Sequence, residues 1–487
     1  MLNLNIKGLS EAEKWEQAGV KIPCYDMEKL AERTMRSPRW VHFGAGNIFR
    51  GYIAAIADNL LEKNEIDTGI IAVETFDTDI IEKIFKPFDN LALSVKLFAG
   101  GSSEKQVIGG VAQSFTAQGN DFEELKAIFK KDTLQMVSFT ITEKGYGGEI
   151  MRILSELLYE RFKAGGAALA LVSMDNFQEN GERLKSAVLE AAGGLGEDFR
   201  RYINEKVSFP WSMIDKITPR PSGEIGAELT SKGIGGMEAI VTSKNTYIAP
   251  FVNSEAAEYL VIEDNFPNGR PPLEKAGVYM TDRETVSLTE RMKVTACLNP
   301  LHTALAVFGC LLGYTSIWEE MKNKDLLALV KKIGYDEGLK TVVSPKIIDP
   351  EKFIDEVINE RLPNPFIPDT PQRIATDTSQ KIPVRFCNTI RAYQKEGNAE
   401  KLVAIPLAIA AWLRYLQGSD DSHTPFTISP DPMLSKLQGM KPEDILLEKA
   451  IFDTDLSNGG LDAKILGFYE RMTEKGGVAG TLAEELK

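Results

Sequence analysis

A short apolar run, Trp40-Val-His-Phe43, passes straight into Gly44-Ala-Gly46 and then into apolar residues at 48, 52, 55, 56 and 60. The spacing predicts a strand, a tight turn and a helix. Such a turn aims backbone N–H groups and the positive end of the helix at a phosphate. Gly44 permits the tight turn and Gly46 the close approach of a pyrophosphate. Phe49 stands where the third glycine of the usual fingerprint would be, while Asn47 and Arg50 occupy the first helical turn. A second predicted strand, 69–74, ends in Glu74, where a carboxylate accepts from adenine-ribose hydroxyls and repels a 2′-phosphate. The pattern reads as a dinucleotide site with NAD as cofactor. A glycine turn that serves packing alone is the alternative.

The rest of the first half repeats the alternation. Strands are predicted at 40–43, 69–74, 91–98, 136–141, 168–174 and 239–241, with helices at 48–62, 122–129, 149–163 and 181–192. From about Asn299 onward helical periodicity takes over, at 300–312, 319–333, 350–360, 385–396, 399–416 and 443–452. With 487 residues, too many for one ordinary core, the expected fold is an α/β amino-terminal Rossmann-type domain with a parallel sheet over 1–285 and a mostly α-helical, substrate-binding domain over 286–487.

Composition narrows the function. The 56 Lys and Arg against 70 Asp and Glu leave a net charge of −14, which argues against a nucleic-acid or anionic-membrane partner. A small anionic substrate in a local basic pocket is still allowed. Cys24, Cys297, Cys310 and Cys387 form no metal or disulfide spacing, and His42, His302 and His423 are the only histidines, so no metal is expected. No leader and no run of 18 apolar residues is read, so a cytoplasmic protein is expected, with a monomer compatible.

Two predicted strands end in polar clusters, Thr140-Ile-Thr-Glu-Lys-Gly145 and Ser173-Met-Asp-Asn-Phe-Gln178, and ligands bind beyond the carboxyl ends of parallel strands. Thr142 and Glu143 fall to the cofactor side. In Thr289-Glu-Arg-Met-Lys-Val-Thr-Ala-Cys-Leu-Asn-Pro-Leu-His-Thr303, Asn299 reads as a helix N-cap with Pro300 at the first helical position. Leu301, Leu305, Phe308 and Leu312 then make one apolar stripe, with His302 off it in the first turn. The helix's positive end favours a neutral imidazole there. Without zinc, the base for an alcohol proton must be Lys, Tyr, His or a carboxylate. Lys293, at the expected domain boundary, is one such amine.

Together these residues resemble the long-chain polyol-specific dehydrogenases, the family of mannitol dehydrogenases and of fructuronate and tagaturonate reductases. The resemblance runs through His42-Phe-Gly-Ala-Gly-Asn47 with Arg50-Gly51, Thr140-Ile-Thr-Glu143, Asp175-Asn176, Asp215-Lys-Ile-Thr-Pro219, Asn299-x-x-His302, Asn364-Pro365, Arg373 and Ser379-Gln-Lys381. It implies a lysine acid/base at Lys293, an oxyanion hole of Asn176 and Asn299, and substrate orientation by His302. It also implies proton exchange helped by Glu290, and substrate contacts at Asp215, Arg373 and Lys381, in a cleft between two domains. Five residues separate Lys293 from Asn299 where the family has four; one extra residue turns a regular helix by about 100°, so a bulge is expected there.

The implied reaction interconverts a secondary alcohol and a ketone on a sugar acid or polyol. Arg373 and Lys381 favour a hexonate such as D-mannonate, oxidised to fructuronate. Mannitol, altronate and mannitol 1-phosphate are the alternatives. A non-catalytic NAD(H) sensor and a metal-dependent lyase or isomerase are the readings from other classes.

Overall fold

The computed structural model describes residues 1–487. The chain divides into two compact units, Met1–Phe98 with Ser102–Ser287, and Ala99–Gly101 with Leu288–Lys487.

In the first unit, six strands form one sheet: β1 Trp40–Phe43, β2 Ile70–Glu74, β3 Val111–Thr116, β4 Met136–Phe139, β5 Leu169–Ser173 and β6 Val207–Ser208. All neighbours are parallel, in the order β3-β2-β1-β4-β5-β6. This is the doubly wound order of dinucleotide-binding sheets, with the direction of winding reversing between β1 and β4. The near-continuous apolar strands follow from burial on both faces. Val41, Phe43, Ile71, Val73, Val137 and Phe139 pack on one face with Leu154 and Leu157 of the helix Glu149–Lys163. Their alternating neighbours Trp40, Ile70, Ala72 and Met136 pack on the other with Ile56 and Leu60 of the helix Ala54–Glu62. Each buried Val, Leu, Ile, Phe or Met among them stabilises the unit by roughly 1.5–3 kcal/mol.

Two of the predicted strands belong elsewhere. The stretch read at 91–98 is the strand Ala92–Leu97, which pairs antiparallel with Ser103–Ile108 in a separate four-stranded sheet. The stretch read at 239–241 is Ile240–Val241, one side of a two-stranded hairpin. The place at the sheet edge is taken by β3, whose Val-Ala-Gln-Ser-Phe-Thr follows Gly109-Gly110 and alternates too weakly to stand out from a loop.

The second unit is helical. Its central elements are Asn299–Leu312 and Ala404–Tyr415, which pack on one another, and the latter also packs on Leu461–Met472. All twelve residues of Ala404–Tyr415 are buried. The buried Glu337 carboxylate caps its amino end, accepting from the N–H groups of Val403, Ala404 and Ile405 at 2.7, 2.8 and 2.9 Å. Asn299–Leu312 is buried on nearly every side rather than along one stripe. By length and hydropathy the segment Arg283–Leu312 passes as a membrane span, but 72% of its apolar window is buried inside the protein, which makes it a core helix. The helices predicted at 319–333 and 443–452 are shorter, as Ile317–Glu320 with Lys324–Lys331 and as Pro442–Leu446.

Candidate active site

The strand-to-helix turn has one conformation open to it. Gly44 has φ +103°, and a Cβ there would lie 2.2 Å from the Thr140 carbonyl oxygen, at the point where β1 and β4 diverge. No other residue fits. A Cβ at Gly46 would meet nothing within 4 Å, so the space over the turn is open. The helix begins at Asn47, and its first amides have no intrahelical acceptor. Glu74, at the end of β2, accepts from Ala45 N–H at 2.9 Å through one oxygen and from Phe76 and Asp77 N–H at 2.9 and 3.2 Å through the other. It therefore ties the glycine turn to β2, with lone pairs still available on both oxygens.

The rest of the expected cofactor set divides. Asn47 donates to the Pro219 carbonyl at 3.3 Å and accepts from Arg50 at 2.9 Å. Arg50 is not a surface cation near the pyrophosphate: it is 1% exposed, donates to the Ala249 carbonyl at 2.7 Å, and burial pushes it down to about 9. Phe49 is likewise core. It is fully buried, its ring stacked 4.2 Å from His42. The short segment Phe49–Ile53 is a π turn, which swings both side chains inward. Glu143 is exposed and paired with Arg183 at 2.9 Å.

Beyond β4 and β5 the backbone is clamped. Thr142 has φ +62°, a strained value for a β-branched residue. Its N–H and that of Ile141 donate to Asp175 at 2.9 and 3.1 Å, and Tyr146 Oη donates to the same carboxylate at 2.7 Å. Burial pushes the Asp175 carboxyl above its usual range. Asn176, the next residue, is exposed on this rigid base, and Asp215 is buried at the end of Ser212–Asp215.

In the second unit the sequence around Lys293 resolves its own irregularity. Lys293–Cys297 is a π turn, with Leu298 N–H donating to the Lys293 carbonyl at 3.1 Å across five residues. This wider turn takes up the extra residue between Lys293 and Asn299. The Lys293 side chain is buried, 3% exposed, and Glu290 is half-buried one turn earlier. The N-cap is Leu298, with Asn299 the first helical residue and Pro300 the second, so the amide of Asn299 does not cap the helix. Proline is tolerated at either early position because its missing N–H has no partner there.

His302 lies in the first turn of Asn299–Leu312, its Nε2 out of reach of water. It is pushed down to about 3, first by burial, then by Arg385, Arg373, Arg361 and Lys381. The imidazole is neutral, as the helix end alone suggested. Lys381 is pushed down to about 8 by burial and by Arg385; its amine donates to the Ile374 carbonyl at 2.8 Å. Arg373 is exposed and paired with Asp369. Arg385, also burial-depressed, to about 10, donates to Thr303 Oγ1 at 2.5 Å and to the Asn299 carbonyl at 3.5 Å. Sequence reasoning missed Asp369, Arg361 and Arg385. The basic residues there are spread over 361 to 385, and each by itself, like Asp369, reads as solvated surface.

The strand order, the glycine that admits no side chain, the open space at Gly46 and the acidic residue closing β2 fit a nicotinamide dinucleotide. Fold and site together define an oxidoreductase of the dinucleotide-binding class. Residues 38–275 match the model of the mannitol dehydrogenase Rossmann domain and residues 286–472 that of the mannitol dehydrogenase C-terminal domain. The chain belongs to the mannitol dehydrogenase family. It is 47% identical to D-mannonate oxidoreductase of Thermotoga maritima over 97% of this chain and 96% of that one. It is 29% identical to the polyol:NADP oxidoreductase of Gluconobacter oxydans over 94% and 96%. Among solved structures, substrate-free D-sorbitol dehydrogenase matches with a TM-score of 0.83 at 28% identity, over 95% of this chain and 98% of that one. The ternary complex of Pseudomonas fluorescens mannitol 2-dehydrogenase with NAD and D-mannitol matches with a TM-score of 0.72 at 26% identity, over 99% of each.

Proposed function

We propose that this enzyme interconverts D-mannonate and D-fructuronate with NAD(H). The observation that carries the substrate reading is the basic neighbourhood of His302: Arg385, Arg373, Arg361 and Lys381 each disfavour its protonation, while the Asp369 carboxylate stands 3.4 Å from its Nε2. Such a basic neighbourhood suits an anionic sugar acid better than a neutral polyol. The mannonate oxidoreductase relative supports the same choice. Arg373, held in place by Asp369, and Lys381, bonded only to a carbonyl, are the partners for a substrate carboxylate.

Gly44, Gly46, the amides at Asn47 and Phe49, Glu74 and Thr142 would hold the dinucleotide, which when bound gives or takes the hydride at the carbinol carbon. Glu74 supports NAD over NADP, since a carboxylate repels a 2′-phosphate. Lys293 gives the proton to the ketone oxygen in reduction and takes it in oxidation, and Glu290 passes that proton on. Asn176 and Asn299 donate to the oxygen as it gains charge. His302 and Asp215 orient neighbouring hydroxyls. The test is reduction of fructuronate, tagaturonate, fructose and fructose 6-phosphate side by side, each with NADH and with NADPH. Fructuronate with NADH should give the highest kcat/KM. A preference for fructose would refute the hexonate assignment, and a preference for NADPH the cofactor assignment.

A further inference from the structure

We propose that Asp369 is a positioning residue for this reaction, fixing the tautomer of His302 and the place of Arg373. The inference rests on the reading of those two residues as substrate contacts. Asp369 lies between Pro368 and Thr370 and is 7% exposed. Its backbone is pinned on both sides: its N–H donates to the Ile367 carbonyl at 2.8 Å, and its carbonyl accepts from Ile317 N–H at 3.0 Å. The carboxylate is therefore held still. One oxygen pairs with Arg373 Nη2, and the other stands 3.4 Å from His302 Nε2.

That separation is longer than an aligned hydrogen bond, so the carboxylate acts on the ring through its charge. Nε2 is sealed from water and has no other partner. A neutral imidazole carries one proton. With the proton on Nδ1, the Nε2 lone pair, itself out of contact with water, would face a carboxylate across 3.4 Å, and like charge density there is disfavoured. The proton therefore resides on Nε2. Nδ1, which makes no hydrogen bond within the protein, is then an acceptor, and His302 receives a hydrogen bond from a substrate hydroxyl rather than donating one. The same carboxylate anchors an otherwise exposed arginine on a four-residue helix, Pro371–Ile374, that has little stability of its own.

Three histidines in the whole chain make the tautomer measurable. Long-range ¹H–¹⁵N spectra of the resting enzyme, with His302 assigned by its loss in His302→Asn, should show a single Nε2–H tautomer. In Asp369→Ala that preference should disappear, and in Asp369→Asn, whose amide oxygen goes to the Arg373 guanidinium and whose NH2 group then faces the ring, the Nδ1–H tautomer should appear instead. With the best ketose, Asp369→Ala should lower kcat/KM roughly tenfold to hundredfold, the coupling expected of contacting residues in one network. The same change in a His302→Ala background should cost at least about fivefold less. An unchanged tautomer in Asp369→Ala, or an equal cost in both backgrounds, overturns the proposal. Absence of turnover on every ketose would instead break the functional reading, and the spectra of the resting enzyme would then decide the role of Asp369.

Discussion

His42 is fully buried and His302 partly so, and both are pushed down to about 3, yet they do opposite things. His42, in β1, is satisfied at both ring nitrogens, by Ser138 at 2.6 Å and Thr140 at 2.9 Å, and burial alone keeps it neutral. His302 has one nitrogen beside a carboxylate, the other unbonded in the protein, and four cations adding to the effect of burial. The first is a fastener. The second is kept neutral first by burial and then by neighbouring cations. The contrast extends to the two units. In the first the candidate site is made of backbone shape and satisfied hydrogen bonds; in the second it is made of side-chain charge.

The contrast breaks most visibly at Lys293. Lys293→Ala should lower kcat about 10²–10⁴-fold, the contribution of a positioned acid/base, while NADH titration and thermal unfolding stay near the parent values. Loss of NADH binding in this variant would show that the charged region also serves the cofactor. Next in size comes the pair of histidines. His302→Ala should cost about 10²-fold in kcat/KM with little change in Tm. His42→Ala should destabilise the protein by about 2–4 kcal/mol, through the cavity and the stranded hydroxyls of Ser138 and Thr140. Denaturant unfolding checks the second, and if both variants fail in the same assay the distinction is wrong.

Smaller effects sharpen it. Arg373→Ala should raise KM for the anionic ketose about tenfold and weaken its dependence on ionic strength, which steady-state kinetics at low and high salt would show. Lys381 gives a pH effect with a definite sign. Its folded value is depressed to about 8, so its charge is present below that pH and lost above it, while the substrate carboxylate stays ionised. KM for the anionic ketose should therefore rise severalfold, about 0.5–1 kcal/mol, between pH 7 and pH 9, and Lys381→Met should flatten the profile. For stability the sign is reversed. The unfolded lysine holds its proton at pH values where the folded one has released it, so this group makes the fold gain stability as pH rises from about 8 toward the ordinary lysine value.

Local rules carried the fold a long way. The glycine turn, β1, β2, the helix Glu149–Lys163 and the change to helix near Asn299 were legible because each is set by residues within a turn or two of one another. The extra residue between Lys293 and Asn299 was legible as a count, and the π turn is its structural answer. What failed had two causes. β3 carries Gln and Ser on a half-buried edge, so its alternation is faint, and it wins its place through pairing with β2. Phe49 and Arg50 sit where a surface helix would present them to a ligand, but the π turn Phe49–Ile53 rotates them into the core.

By itself the sequence determined that this chain holds a strand, a glycine turn and a helix between residues 40 and 62, and Lys293, Asn299 and His302 in fixed spacing. Only the tertiary structure decided that Glu74 clamps Ala45, that Arg50 is buried, and that a carboxylate at 369 and cations from 361 to 385 surround a histidine at 302. Turn geometry and helical period act over a few residues and leave a pattern in the order of the letters. Charge acts through space, and which charges meet is settled by how distant helices pack, which no local spacing records.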